Sequence, residues 1–119
     1  MAVAVNVFRT ITETVGVTTT EIYTAPVGYT GVVLLAQVTN KGTDTQTISF
    51  GYRRNTGDTE IVKDLAIPTS DTANLLAGKL VVESGDKLTI VGSNATNLKF
   101  ISRIWQSQQM ILQIYLQEN

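Results

Sequence analysis

The chain has 119 residues, 43% hydrophobic and 16% charged, and nine basic against ten acidic side chains leave a net charge of −1. That length suits one domain with a core of its own. The composition is too apolar and too weakly charged for a disordered chain, and there is no basic excess to hold a nucleic-acid backbone.

The chain contains no Cys and no His. This excludes disulfides, thiolate metal sites, cysteine nucleophiles, His-dependent triads and the HExxH zinc helix. Carboxylate, Lys or Tyr chemistry and Ca²⁺ or Mg²⁺ binding remain open. The composition thus points away from an enzyme, and no cofactor is expected.

In residues 2–8, Val3, Val5 and Val7 alternate with Ala and Asn, a strand pattern with no tight hairpin turn after it. Asn6 interrupts the apolar stretch and Arg9 follows it rather than precedes it, so a signal peptide is not expected. The next stretch, Glu13–Tyr23, is Thr-rich and reads as one strand. Val32–Val38 is apolar on both faces and reads as a central strand. The longest continuous apolar run, Val32–Ala36, is far short of the roughly 20 residues needed to cross a bilayer. No membrane partner is expected, and the chain reads as soluble and made in a cytosol.

Thr47–Tyr52 puts Ile48, Phe50 and Tyr52 on one face. Thr59–Leu65 sets Ile61, Lys63 and Leu65 against Glu60, Val62 and Asp64, a mixed pattern that suits an edge strand. Lys87–Val91 turns Leu88 and Ile90 inward, and Leu98–Trp105 alternates Leu98, Phe100 and Ile104 against Lys99 and Arg103. Thr, Val and Ile together form about a third of the chain, and these β-branched types favour strands. Turn signals recur between the strands, at Ala25–Gly28, Asn40–Gly42, Asn55–Asp58, Ile67–Ser70, Glu83–Asp86 and Ser93–Asn97. Short alternating strands at such spacing indicate an all-β fold: a single β-sandwich, jelly-roll-like, of about eight antiparallel strands.

The expected organisation is an N-terminal arm or strand over 1–11, a sandwich body over 12–105 and an apolar, Gln-rich tail over 106–119. In the tail, Met110, Leu112, Ile114 and Leu116 lie at period two, opposite Ile111, Gln113, Tyr115 and Gln117. A short helix would instead gather Met110, Ile111, Ile114 and Tyr115 on one face. Strand is the reading adopted. No charge falls between Arg103 and Glu118, so an unpaired tail would invite aggregation. Val3, Val5, Val7, Met110, Leu112, Ile114 and Leu116 are therefore the candidate assembly interface.

Other candidates have plainer readings. Asp58, Glu60 and Asp64 place three carboxylates within seven residues, the donor type Ca²⁺ takes, but no DxDxDG loop is present. Their expected state is that of solvated surface groups. Tyr52–Arg53–Arg54–Asn55 holds the one adjacent basic pair, which suits phosphate, sugar or an acidic partner but equally a strand end whose Arg stems cover the core edge. Tyr23, Tyr29, Tyr52 and Trp105 are the aromatics a glycan site would need, and they read better as packing residues. Asn94–Ala95–Thr96 matches a glycosylation pattern by chance. Gly28 and Gly31 read as turn glycines with positive φ. No catalytic, cofactor-binding or metal residue is assigned.

The segment Ile22–Tyr23–Thr24–Ala25–Pro26–Val27–Gly28–Tyr29–Thr30–Gly31–Val32–Val33 resembles the "LYTAPAGKTAVV" opening of small structural proteins of tailed bacteriophages. Gln37–Val38–Thr39–Asn40 follows, as the Asn-ended strand does there. Ile67–Thr72, Leu75–Gly78 and Leu80–Leu88 resemble the same family's "IPAGDT…L.GLVLEAGDSI" section. The flavour is closest to cyanophage-like myoviruses, and the match spans about residues 20–105. The resemblance implies a β-sandwich virion protein, assembled in the host bacterial cytoplasm, whose partners are copies of itself and other virion proteins. It implies a head decoration, neck or tail component and brings no catalytic residues. The alternative is a carbohydrate- or receptor-binding domain of a tail fibre or baseplate, with a glycan as partner.

Overall fold

The computed structural model describes residues 6–108, with the exception of Thr56 and Ala95, and of Gln108 the backbone alone. These residues form nine strands and no helix: β1 (Asn6–Thr14), β2 (Thr20–Thr24), β3 (Tyr29–Asn40), β4 (Gln46–Arg54), β5 (Gly57–Ile67), β6 (Thr72–Asn74), β7 (Leu80–Val82), β8 (Lys87–Gly92) and β9 (Leu98–Gln108). One sheet runs β1-β9-β3-β6, with β7 also paired to β3, and the other runs β2-β8-β4-β5. Every pairing is antiparallel. This strand order is that of an eight-strand jelly roll in which one strand is broken into β6 and β7. The all-β sandwich read from the alternation is therefore the observed fold.

The core lies between the two inner faces. Ile48, Phe50, Leu88, Ile90, Phe100 and Ile104, each placed inside by alternation, are all buried. Phe50 and Phe100 come from opposite sheets and meet at 6.0 Å between ring centroids. Leu98, Val33, Val38, Val82 and Ile67 complete the layer.

Three local readings are corrected. Glu13–Tyr23 is not one strand. β1 ends at Thr14, and the chain turns a corner through buried Val15 and Gly16 to enter the other sheet as β2. The Val15 N–H donates to Leu98 C=O and the Gly92 N–H to Gly16 C=O, each at 2.9 Å, which fastens that corner.

Nor do Ile61, Lys63 and Leu65 share one face. Val62 pairs with Phe50 and Leu65 with Ile48, so one extra residue stands between them. Asp64, at φ 50°, absorbs that bulge. Val62 and Leu65 thus pack against the core while Lys63 is exposed. As expected, β5 is an edge strand.

Gly31, finally, is not a turn residue. It sits in β3, and a Cβ there would come within 2.7 Å of Tyr23 Oη. Gly28 does take positive φ, at 88°.

Two buried polar residues hold the frame. Asn40 is fully buried; its amide N donates to Asp44 C=O and Ile67 C=O, and its Oδ1 accepts from the Gly42 N–H. The register of β3 on β9 shifts between Val33 and Leu35, and the Ser102 hydroxyl donates to Leu35 C=O at 2.8 Å beside that bulge. β1 and β9 each run across the boundaries drawn at residues 11/12 and 105/106.

Candidate functional site, an assembly surface

Among the described residues the two sheets have four free edges, and three of them are blunted. β2 is five residues long and carries a register shift between Glu21 and Tyr23. β5 has two register shifts and bears Asp58, Glu60, Lys63 and Asp64. β6 and β7 are three residues each. Short strands, bulges and edge charges all discourage pairing with another chain.

β1 differs. It runs nine residues in unbroken register with β9, from Asn6 opposite Ser107 to Thr14 opposite Lys99, and its charges are Arg9 and Glu13 alone. Eight of its nine residues are exposed, all but half-buried Ile11.

Facing residues on antiparallel neighbours share a side of the sheet. On the outer side, Phe8 stands opposite Trp105, Trp105 opposite Val32, and Val32 opposite Val81. This apolar row crosses four strands, with Phe8 68% exposed, Trp105 37% and Val81 51%. The bulge in β3 leaves Leu34 exposed as well. Toward the far end of β9 the same side turns polar, with Thr14, Lys99, Thr39 and Thr72 in line. On the core side of β1 lie Val7, Arg9, Ile11 and Glu13, of which Ile11 packs half-buried against the core and the other three are exposed. Val7 is 38% exposed. Of the predicted interface, Val7 is thus placed on β1. Val3, Val5, Met110, Leu112, Ile114 and Leu116 lie outside the described residues.

Phe8 was missed in the sequence because it breaks the Val3–Val5–Val7 alternation, and Trp105 was misread as packing. The signal for both was pairing register, which joins residues 8 and 105 across most of the chain. Tyr23 is a core residue, and its hydroxyl donates to Gln106 Oε1 at 2.9 Å. Burial raises the Tyr23 phenol, with Arg9 opposing. Tyr29 and Tyr52 are half-buried.

The basic pair is occupied within the chain. Arg53 binds Asp58 through Nε at 2.7 Å and Nη2 at 3.1 Å, and Glu21 through Nη1 at 2.9 Å. Arg54 binds Asp86 at 3.0 Å and Glu83 at 2.8 Å, and its guanidinium carbon lies 5.7 Å from the Tyr52 ring centroid. The Tyr52 hydroxyl donates to Asp86 at 2.7 Å and accepts from the Glu83 N–H. Burial raises the Tyr52 phenol first, and the bond to Asp86 adds to it. Hydrogen bonds from Arg53 hold the Asp58 carboxyl below its usual range. These ion pairs tie β2, β4, β5 and the β7–β8 turn together and commit both guanidinium groups to carboxylates of the same chain.

Asp58 and Glu60 do share a shallow cleft of about 210 Å³, with Ser49, Gly51 and Thr89 at its floor. Asp58, however, is committed to Arg53, Glu60 pairs with Lys63 at 3.4 Å, and Asp64 is engaged with Ser49. Among the described residues, no group of three or more acidic side chains gathers at one point. Asn94 Oδ1 accepts from the N–H groups of Thr96 and Asn97, which closes its own loop. No helix of the described residues is long and apolar enough to cross a membrane.

No protein-family model matches the chain, and no curated protein matches its sequence significantly. Solved structures do share its architecture. A chain of the capsid of Helicobacter pylori bacteriophage KHP30 superposes with a TM-score of 0.56 at 15% identity, over 88% of this chain and 89% of that one. A chain of the Bacillus endospore appendages, described as a family of disulfide-linked pili, gives 0.53 at 21% identity over 88% of each. The likeness is one of fold.

Proposed function

We propose that this chain is a non-enzymatic structural protein of a tailed-phage virion, a head decoration, neck or tail component that assembles with copies of itself and with neighbouring virion proteins. The observation that carries the reading is the regular, weakly charged edge of β1 beside the apolar row of Phe8, Trp105, Val32 and Val81. An edge of this kind is a template for another chain. The sequence resemblance supports the phage setting, and a capsid chain and a pilus chain of the same fold are both parts of assemblies. This chain has no Cys, so its contacts, unlike those of the disulfide-linked pili, do not use disulfides.

The test is immunogold electron microscopy of particles of the phage that encodes the chain. Label at one defined position on the particle is expected. Intact particles that stay bare while the lysate supernatant labels would overturn the virion assignment.

One observation favours the alternative of a receptor- or carbohydrate-binding domain. Phe8 and Trp105 stand side by side on the surface, the planar pair on which a sugar ring stacks. Glycan-array binding abolished by Trp105→Ala would establish that reading, and an empty array would remove it.

A further inference from the structure

We infer that the free edge of β1 receives residues 109–119 of a second copy of this chain as an added antiparallel strand. The inference rests on the self-assembly reading and names its contact.

The edge spans nine residues, about 30 Å at 3.4 Å per residue. Eleven residues follow Gln108, enough to cover it in one extended run. In an extended run their apolar side chains fall on both sides, and β1 offers Val7 and Ile11 on one side and Phe8 on the other. Met110, Leu112, Ile114 and Leu116 fall on one side of a strand, and set on the core side they lie beside exposed Val7 and half-buried Ile11, with Arg9 between those two. Ile111 and Tyr115 then fall on the outer side and prolong the row that Phe8 begins. The run carries no charge before Glu118, and backbone hydrogen bonds to an edge strand supply the affinity.

Topology favours a second copy as the donor of the strand. β9 runs antiparallel to β1, and Ser107 stands beside Asn6. If residues 109–119 of the same chain doubled back there onto β1's free edge, they would cross the segment leading into β1 and lie parallel to it. That parallel pairing is slightly less stable per residue than an antiparallel ladder, and the loop from β9 across β1 would use up part of the eleven residues. To lie antiparallel to β1, the same residues would first have to travel back its whole length, about nine residues at strand rise. Too few would remain to pair. A second copy meets neither obstacle, and because each copy gives a tail and offers an edge, the contact is head-to-tail and builds a ring or a filament.

The experiment uses two full-length variants and light scattering after gel filtration at tens of micromolar, with circular dichroism melts as the folding control. Leu112→Glu/Ile114→Glu spoils the tail. Val7→Glu/Phe8→Glu puts charges on both sides of the edge, at positions already exposed in the subunit. Val7→Lys/Phe8→Lys replaces it should the acidic pair not fold. Wild type is expected as a multimer, each variant alone at the mass of one chain, and their equimolar mixture at two chains, the intact tail of one seated on the intact edge of the other. Wild type at the mass of one chain would overturn the self-assembly reading itself. A wild-type multimer that both variants retain would overturn only the edge assignment, as would variants that dissociate but form no mixed pair.

Discussion

Phe100 lies 2% exposed against Phe50, with its ring filling the space between the two sheets. Phe100→Ala is expected to cost roughly 3–5 kcal/mol in urea melts, since the cavity cannot fully collapse. Asn40→Ala strands two carbonyls and the Gly42 N–H where the β3 end meets residues 67–71. A loss of about 1–3 kcal/mol is expected, because buried groups left unpaired bear their full desolvation penalty. The burial of Phe100 was legible from alternation. The role of Asn40 was not, because its partners Asp44 and Ile67 are set by loop geometry that leaves no periodic trace.

Charge acts in the same local way. Asp58 has its folded pKa lowered by Arg53, so its contribution is present above the ordinary carboxylate value and is lost as pH falls through the lowered one. Asp58→Asn should therefore lower the melting temperature slightly at neutral pH, and the gap should close as the solution is acidified below the lowered pKa. The pair is exposed, so the effect is small. A gap that widens with acid would show that Asp58 is not held by Arg53.

Strands whose alternation is unbroken, β4, β8 and β9, were read with the right face inside. Bulges and a corner defeated the rest. In β5 the extra residue at Asp64 moves Leu65 to the side of Val62. In β3 the shift between Val33 and Leu35 leaves Leu34 in solvent. Neither position announces itself, since a bulge is chosen by the partner strand. Ser102 lies beside the β3 bulge and is 1% exposed. Ser102→Ala leaves Leu35 C=O without that donor, for an expected cost of about 1–3 kcal/mol by thermal melting. The edge of β1 was legible only in part. Its strand character showed at Val7, but Phe8 and Trp105 become neighbours only through the β1–β9 register.

The jelly-roll order leaves the subunit asymmetric, with three blunted edges and one regular one. An exposed, regular edge beside an apolar row is the feature on which the proposed assembly rests. Composition carried part of this account from the start, through the low charge and the missing His and Cys that turn the reading toward assembly. What composition lacked was direction, which comes from the exposed, regular edge of β1. The most direct measurement is the mass of the full-length chain by light scattering across a dilution series from hundreds of micromolar down to micromolar. A species of several chains that dissociates on dilution, or persists throughout, is expected. A mass of one chain at every concentration, with the protein folded, would contradict the account.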